Sequence, residues 1–328
     1  MAFTAQDVKT LREKTGCGMM DCKKALTQAD GNMDAAIDIL REQGLAKQAK
    51  KASRIAAEGV AYAATNADAT VGVVVEINSE TDFVAKNDDF MSFVKTVADT
   101  IIEKNPADVD ALLAEKAADS DMTVAELLQE KVLTIGENIK IRRFARYEGA
   151  VATYIYADGK IHVKNWFGLP TYVATYIHAG GKIGVMVNFE TDVAGKEGFA
   201  EYGKDIAMQI AAVNPSYLQK SDVPDEVIEH EKAIMTEQVI NEGKPEAIAQ
   251  KIVLGKIGKY YEENCLVNQA FVKDNKMTVE QYTAKVAKDL GGSIKILGFV
   301  RFEKGEGLEK RSDNLADEVA KQLAESSK

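Results

Sequence analysis

One pattern occurs twice in this chain and restricts what it can fold into. Val71-Gly72-Val73-Val74-Val75 runs on to Glu80-Thr81-Asp82, and Ile183-Gly184-Val185-Met186-Val187 runs on to Glu190-Thr191-Asp192. Each apolar run is too short for a buried helix and too continuous for a half-exposed strand, so each reads as a strand buried on both faces. A stretch with helical spacing follows both. A second pair of segments echoes in the same order: Ile135-Gly136-Glu137-Asn138-Ile139-Lys140-Ile141 and Leu290-Gly291-Gly292-Ser293-Ile294-Lys295-Ile296. Two subdomains of related fold would leave this mark, and so would convergence of common strand patterns. The residues alone leave both open. Matching the two acidic triplets puts Val193 where the first copy has Phe83.

The first corner, Thr81-Asp82-Phe83-Val84-Ala85-Lys86-Asn87, is the more distinctive. The helix after it carries Phe90, Phe93, Val94, Val97 and Ile101 on one stripe. Two readings fit. In one, Thr81 is the N-cap of a helix-entry turn and Phe83 sits in the core, which side-chain chemistry alone favours. In the other, Phe83 projects from the domain beside the Asp82 carboxylate.

A closer repeat lies between the two patterns. Residues 151–163 (VATYIYADGKIHV) and 173–185 (VATYIHAGGKIGV) are identical at most positions, as a tandem duplication would leave them. Each reads as a hairpin with an Asp-Gly or Gly-Gly turn. An extended sheet edge is the expectation for the extra copy. Trp166 and Phe167, in the joining segment, could form a contact surface.

Around these strands the spacing predicts an α+β chain in several parts. Residues 1–55 are a small three-helix bundle and linker. The first helix is opened by Thr4 or Asp7 and buries Val8 and Leu11; the second is capped by Asp21; the third runs from Met33 to Leu40, and a basic linker follows. Residues 56–148 form a first core subdomain, with helices near 88–104, 107–118 and 123–134 and strands near 59–65, 71–77 and 138–147. A second subdomain spans 149–220 and 264–305, with the duplicated hairpin at 151–185, a strand expected near 149–156 and strands near 293–303. Both subdomains are expected to hold antiparallel sheets. Residues 221–263 make an inserted antiparallel helical hairpin, because Asn241-Glu242-Gly243-Lys244-Pro245 is too short a break for any other arrangement. Residues 306–328 are a C-terminal helical module, with Leu315, Val319 and Leu323 on one face.

Charge limits the choice of partner. The formal net charge is -10. Ten Lys and Arg against seven Asp and Glu leave residues 1–55 at +3, and the remainder at -13. An acidic body repels phosphate backbones, so direct nucleic-acid binding is not expected, although the basic head could meet an acidic protein surface. No apolar run is long enough to span a bilayer, and a cytoplasmic protein with no membrane segment is the expectation. Cys17, Cys22 and Cys265 are odd in number and wrongly spaced for a redox pair or zinc site, which favours reduced thiols.

Catalytic signatures are missing. There is no GxxxxGKS/T loop, GxSxG elbow or HExxH pair. His162, His178 and His230 lie in separate elements, so no metal site is expected, nor any cofactor or small-molecule substrate. Glu80 with Asp82, and Glu190 with Asp192, could be acid–base pairs, but nothing nearby looks like a nucleophile. A carboxylate-dependent hydrolase is a weak alternative. An adaptor that binds ubiquitin-like or peptide ligands through the small bundle is a stronger one.

Several long segments, in order, resemble the translation elongation factor Ts family over nearly the whole chain. They are Leu11-Arg12-Glu13-Lys14-Thr15-Gly16-Cys17-Gly18-Met19-Met20-Asp21-Cys22-Lys23-Lys24-Ala25-Leu26, Thr81 to Lys86, Ile135-Gly136-Glu137-Asn138-Ile139, and Gly298-Phe299-Val300-Arg301-Phe302-Glu303. The departure is the extra hairpin: the family has one such element, and the copy around His178 matches it better. The resemblance implies a guanine-nucleotide exchange factor for the GTPase elongation factor Tu, acting without covalent chemistry, and it favours the projecting reading of Phe83. It implies a ubiquitin-associated-like N-terminal bundle in which Arg12, Met19, Met20 and Lys23 meet the GTPase domain. Thr81, Asp82, Phe83 and Val84 would enter near the nucleotide and dislodge its Mg²⁺, with Ile135 and Gly136 beside them. His178 and Val272 would meet the partner's other end.

Overall fold

The computed structural model describes residues 3–15, 17–51, 54–148, 152–155, 161–164 and 171–309. The expected C-terminal helix from residue 310 onward, and Trp166 with Phe167, lie outside the described residues. The class is α+β, with helices and antiparallel sheets.

Three helices open the chain: α1 (Ala5–Thr15), α2 (Met19–Gln28) and α3 (Met33–Lys51). Thr4 and Asp7 cap α1 together. The Asp7 carboxylate accepts the Thr4 N–H at 2.7 Å, and the Thr4 hydroxyl accepts the Asp7 N–H at 3.3 Å. The second helix starts two residues before Asp21, with Gly18 as its N-cap. The third continues through the expected linker, because residues 45–51 are all strong helix formers. Val8, Leu11, Cys22, Ala25, Leu26, Ala36 and Leu40 form the bundle's small core, and Leu133 packs against it from a helix of the next unit. A core this small gains from being seated on a larger body.

The first half has the antiparallel sheet order β1-β2-β3, formed by β1 (Glu58–Thr65), β2 (Val71–Ser79) and β3 (Lys140–Glu148). Between β2 and β3 come α4 (Asp88–Lys104), α5 (Val109–Ala114) and α6 (Val124–Ile135). Strand alternation divides the work of β2. Val73, Val75 and Ile77 join Phe90, Phe93, Val94, Val97 and Ile101 in one core, while Val74 faces the other way.

The chain then forms the hairpin β4 (Ala152–Ile155) and β5 (Ile161–Lys164), followed by β6 (Thr171–His178), β7 (Ile183–Thr191) and α7 (Phe199–Val213). Next come α8 (Asp225–Asn241) and α9 (Glu246–Asn264), the antiparallel helical hairpin, zipped by Ile228, Val253 and Ile257 with Met235 and Tyr261. The last elements are β8 (Ala270–Phe271), β9 (Asp274–Thr278), α10 (Val279–Asp289) and β10 (Ile294–Glu303). The second sheet has the order β10-β7-β6, also antiparallel. Val185, Val187 and Phe189 of β7 pack against Phe199, Tyr202, Ile206 and Ile210 of α7.

The two sheets meet face to face through Ala63, Val74, Val173 and Met186, which makes a helix–sheet–sheet–helix sandwich. Gly184 permits this approach: a Cβ there would stand 3.0 Å from the Ala61 carbonyl oxygen and from Val74. The first hairpin copy has His162 at the matching place, and a side chain there would crowd Ala61 and Val74. Among the described residues β4 and β5 pair only with each other, and the duplication does not extend a sheet edge as expected.

Glu76, fully buried on β2, ties the end of β10 to the first half. Its carboxylate accepts from Arg142 (2.9 Å), Arg143 (2.6 Å), Asn78 (3.1 Å) and the Gly305 N–H (2.8 Å). Burial alone would raise its pKa; these donors outweigh burial and hold the carboxyl below the usual glutamate range.

Candidate functional site

The corner after β2 is held on both sides of an exposed ring. On its near side, the Glu137 carboxylate accepts three hydrogen bonds: from Glu80 N–H at 3.1 Å, Thr81 N–H at 3.0 Å and the Thr81 hydroxyl at 2.6 Å. Glu80 answers by accepting the Asn138 N–H at 2.7 Å, and the Ser79 hydroxyl donates to the Thr81 carbonyl at 2.9 Å. On its far side, Val84 is buried and starts a short 3-10 turn, Val84–Lys86. Asn87 then caps α4, its side-chain oxygen accepting from Asp89 and Phe90 N–H. The cap is therefore Asn87, not Thr81, and Phe83 is not in the core: it is 78% exposed. Phe83 is thus a single large apolar side chain displayed to water on a tightly bonded turn. Asp82 is also exposed, and its contact with Lys86 at 3.9 Å is a weak surface pair.

Ile135 and Gly136 reach the corner through the same residue. Gly136 ends α6 in the left-handed conformation, with φ 86, and Glu137 follows at once. The bonds that Glu137 accepts thus tie the segment after Ile135–Gly136 to Glu80 and Thr81. The half-buried Ile135 packs on the first core, and Gly136 is exposed. The bundle is seated on Leu133 of the same helix, so α6 carries both surfaces.

On the bundle, Arg12, Met19, Met20 and Lys23 are all exposed, Met20 at 64%. Met19, Met20 and Lys23 share one side of α2 by helical spacing. Cys22 behind them is buried, which pushes its thiol pKa up. His178 and Val272 lie elsewhere, on the second half. His178 is exposed at the end of β6, with Nδ1 3.2 Å from the Tyr176 hydroxyl. Val272, exposed at the β8–β9 turn, donates its N–H to the buried Gln209 side chain at 2.8 Å, and neighbouring Lys273 pairs with Asp205 at 2.6 Å.

Sheet register corrects the alignment of the two corners. Both outer strands carry a bulge at one place: Arg142 is extra between the pairs Glu76↔Arg143 and Ile77↔Ile141, and Leu297 between Asn188↔Gly298 and Phe189↔Ile296. Ile77 therefore matches Phe189, Ser79 matches Thr191, and Glu80 matches Asp192. The acidic triplets that looked equivalent are offset by two residues. Thr81 corresponds to Val193, and Ala194-Gly195 to Asp82-Phe83. Both ways of aligning them leave the exposed aromatic to the first half alone.

Of the four candidate carboxylates, Glu80 and Asp192 are committed to structure. Glu80 caps Asn138, and Asp192 accepts the Ser293 N–H at 2.7 Å, which holds its carboxyl below the usual aspartate range. Among the described residues no group of three or more His, Cys, Asp or Glu could hold a metal ion. Sequence reasoning did not select Glu137 or Gln209, and it considered Glu80 only as half of an acid–base pair, not as the acceptor of the Asn138 N–H. The signals for Glu137 are its place in the Ile135–Ile139 segment and a carboxylate directly after a helix-ending glycine.

Comparison with known proteins agrees in extent with this architecture. The sequence profile of the family described as Elongation factor TS matches residues 80–166 and 163–306. Its two stretches meet within the duplicated region. Elongation factor Ts of Clostridioides difficile (strain 630) is 48% identical over 323 residues, covering 98% of this chain and 99% of the relative. That of Syntrophotalea carbinolica is 46% identical over 323 residues, with 98% and 99% covered. That of Clostridium perfringens (strain SM101 / Type A) is 48% identical over 322 residues, with 97% and 98% covered.

Proposed function

The chain belongs to the elongation factor Ts family, and we propose that its Thr81–Val84 corner is the wedge with which it releases GDP from elongation factor Tu. The chain is a guanine-nucleotide exchange factor of translation elongation and makes or breaks no covalent bond. The observation that supports the wedge is the exposure of Phe83 between two anchored neighbours, Thr81 and Val84.

The physics is that of coupled binding. A GTPase holds GDP through backbone N–H groups at a loop and helix N-terminus, and through Mg²⁺. A ring inserted beside the nucleotide displaces the groups that hold the ion, and the phosphates lose their charge compensation. Coupling is reciprocal: the factor weakens GDP by the factor through which GDP weakens it. Burying one Phe contributes roughly 1.5–3 kcal/mol, and about 1.4 kcal/mol is needed per tenfold, so Phe83 alone supplies one to two orders of magnitude. The rest comes from a broad grip: Met19, Met20, Arg12 and Lys23 on the bundle, Ile135 and Gly136 beside the wedge, and His178 and Val272 on the second half. Exposed methionines suit such docking because they adapt their shape.

The partner is a protein. The acidic body disfavours direct nucleic-acid contact, and no described helix is long and apolar enough to cross a membrane. Translation takes place in the cytoplasm, and the factor is proposed to work there. The deciding experiment follows a fluorescent GDP analogue leaving the cognate elongation factor Tu, with and without the chain. Acceleration that saturates with factor, together with a nucleotide-free complex that GDP dissolves, is expected; an unchanged release rate would overturn the reading.

A further inference from the structure

We propose that Glu137 is the positioning residue that displays the wedge: its carboxylate props the Glu80–Thr81 backbone away from the α6–β3 loop, so that Asp82 and Phe83 stand clear of the domain. The inference rests on the exchange-factor reading of that corner.

The molecule contains its own comparison. The register that matches Glu80 with Asp192 also matches Asn138 with Ser293, and therefore Glu137 with Gly292. The shared part of the two corners is closely alike. Glu80 accepts the Asn138 N–H at 2.7 Å, and Asp192 accepts the Ser293 N–H at 2.7 Å. Ser79 and Thr191, the matching hydroxyl residues, are both fully buried. What differs is the next position. In the second half the corner lies directly on Gly292, where any Cβ would overlap the Asp192 carboxylate and the Val193 side chain. Val193 is buried there, and its N–H turns back onto the Thr191 hydroxyl at 3.1 Å. In the first half a glutamate occupies this place. Both amides and the Thr81 hydroxyl turn outward to it, and the chain beyond Thr81 emerges into solvent.

Chemistry explains why a carboxylate suits this role. Two backbone N–H groups and one hydroxyl, all donors, converge on one side chain, and an ionised carboxylate offers only acceptors. Without it the amides must find other partners, and the second half shows the nearest one: the preceding hydroxyl, reached by folding the corner inward. The same side chain follows Ile135–Gly136 directly, so the wedge and its flanking contact move as one body.

The test uses the full chain with Glu137→Ala, Glu137→Gln, Thr81→Val and Phe83→Ala, read in two ways. Release of a fluorescent GDP analogue from elongation factor Tu gives the maximal rate and the half-saturating concentration. Hydrogen exchange at the Glu80 and Thr81 amides reports the prop without any partner. Glu137→Ala is expected to lower the maximal rate roughly tenfold, to leave half-saturation nearly unmoved and to expose both amides. Glu137→Gln keeps one carbonyl oxygen for the amides and should retain most of the rate and the protection. A full maximal rate with both amides still protected in Glu137→Ala would overturn the proposal. If the alanine variant fails to fold, Thr81→Val carries the test: a lower rate together with faster exchange at the two amides supports the prop, and an equal rate with unchanged protection overturns it. An intact chain that leaves GDP release untouched instead defeats the exchange-factor reading. An active intact chain with a slow Phe83→Ala and a fast Glu137→Ala defeats only the role of Glu137.

Discussion

Phe83→Ala separates the wedge from the grip. In the free factor the ring is 78% exposed, so its removal takes little from the fold, and unfolding stability should stay within about 0.5 kcal/mol of the intact chain. In the complex the ring would leave water and gain roughly 1.5–3 kcal/mol. If that energy is realised only while the nucleotide site is pried open, its loss falls on the release step. At about 1.4 kcal/mol per tenfold, the maximal GDP-release rate should drop roughly ten- to hundredfold. Arg12, Met19, Met20 and Lys23 on the bundle, and Val272 on its separate turn, are untouched, so the half-saturating concentration should move much less. Stopped-flow release measured across factor concentrations gives both quantities. An unchanged maximal rate at saturating factor would refute the wedge, because the ring's burial energy would then not be realised in the release step.

Two further predictions concern the body that carries the corner. Glu76→Gln leaves Arg142 and Arg143 without their buried counter-charge and should cost about 3 kcal/mol at pH 7, the lower end for broken buried pairs because both guanidiniums keep some exposure. The folded-state pKa of Glu76 is depressed, so its contribution is complete above about pH 4.3 and fades as pH falls through the lower folded value. Denaturant titrations should therefore show the gap between intact and Glu76→Gln chains narrowing only below that pH, and a gap that is constant into strong acid would contradict the assignment. Gly184→Ala places a Cβ 3.0 Å from the Ala61 carbonyl oxygen and should destabilise by about 1–3 kcal/mol; a melting temperature equal to the intact chain's would show that the two sheets are less closely fitted than described.

The strands and helices were legible because local chemistry and tertiary need agree there. The unbroken apolar run of β2 is buried from end to end, and the stripe of Phe90, Phe93, Val94, Val97 and Ile101 faces it. The spacing ends the third helix at Leu40, because the basic stretch after it looks like a linker until its helix propensities are summed, and the helix runs on to Lys51. The position of Phe83 was not legible from chemistry, since the burial of a ring depends on what stands behind it. Thr81 is a good N-cap type, but Asn87 sits where the helix begins. Matching triplets mislead the alignment of the halves, because sheet register is set by backbone pairing and makes Ser79, not Thr81, the counterpart of Thr191. Glu137 is hard to read from sequence for a related reason: its partners are more than fifty residues away in the chain and are brought to it by the pairing of the sheet.

The most direct test of the wedge is the magnesium dependence of its effect. GDP release from elongation factor Tu should be measured with saturating Mg²⁺ and with the ion chelated, each with and without the factor. If Phe83 works by dislodging the ion, chelation speeds release from the GTPase alone, and the factor's acceleration shrinks by at least about tenfold when the ion is gone. An acceleration of the same size with and without Mg²⁺ would mean that the factor opens the nucleotide site by a route that does not pass through the metal.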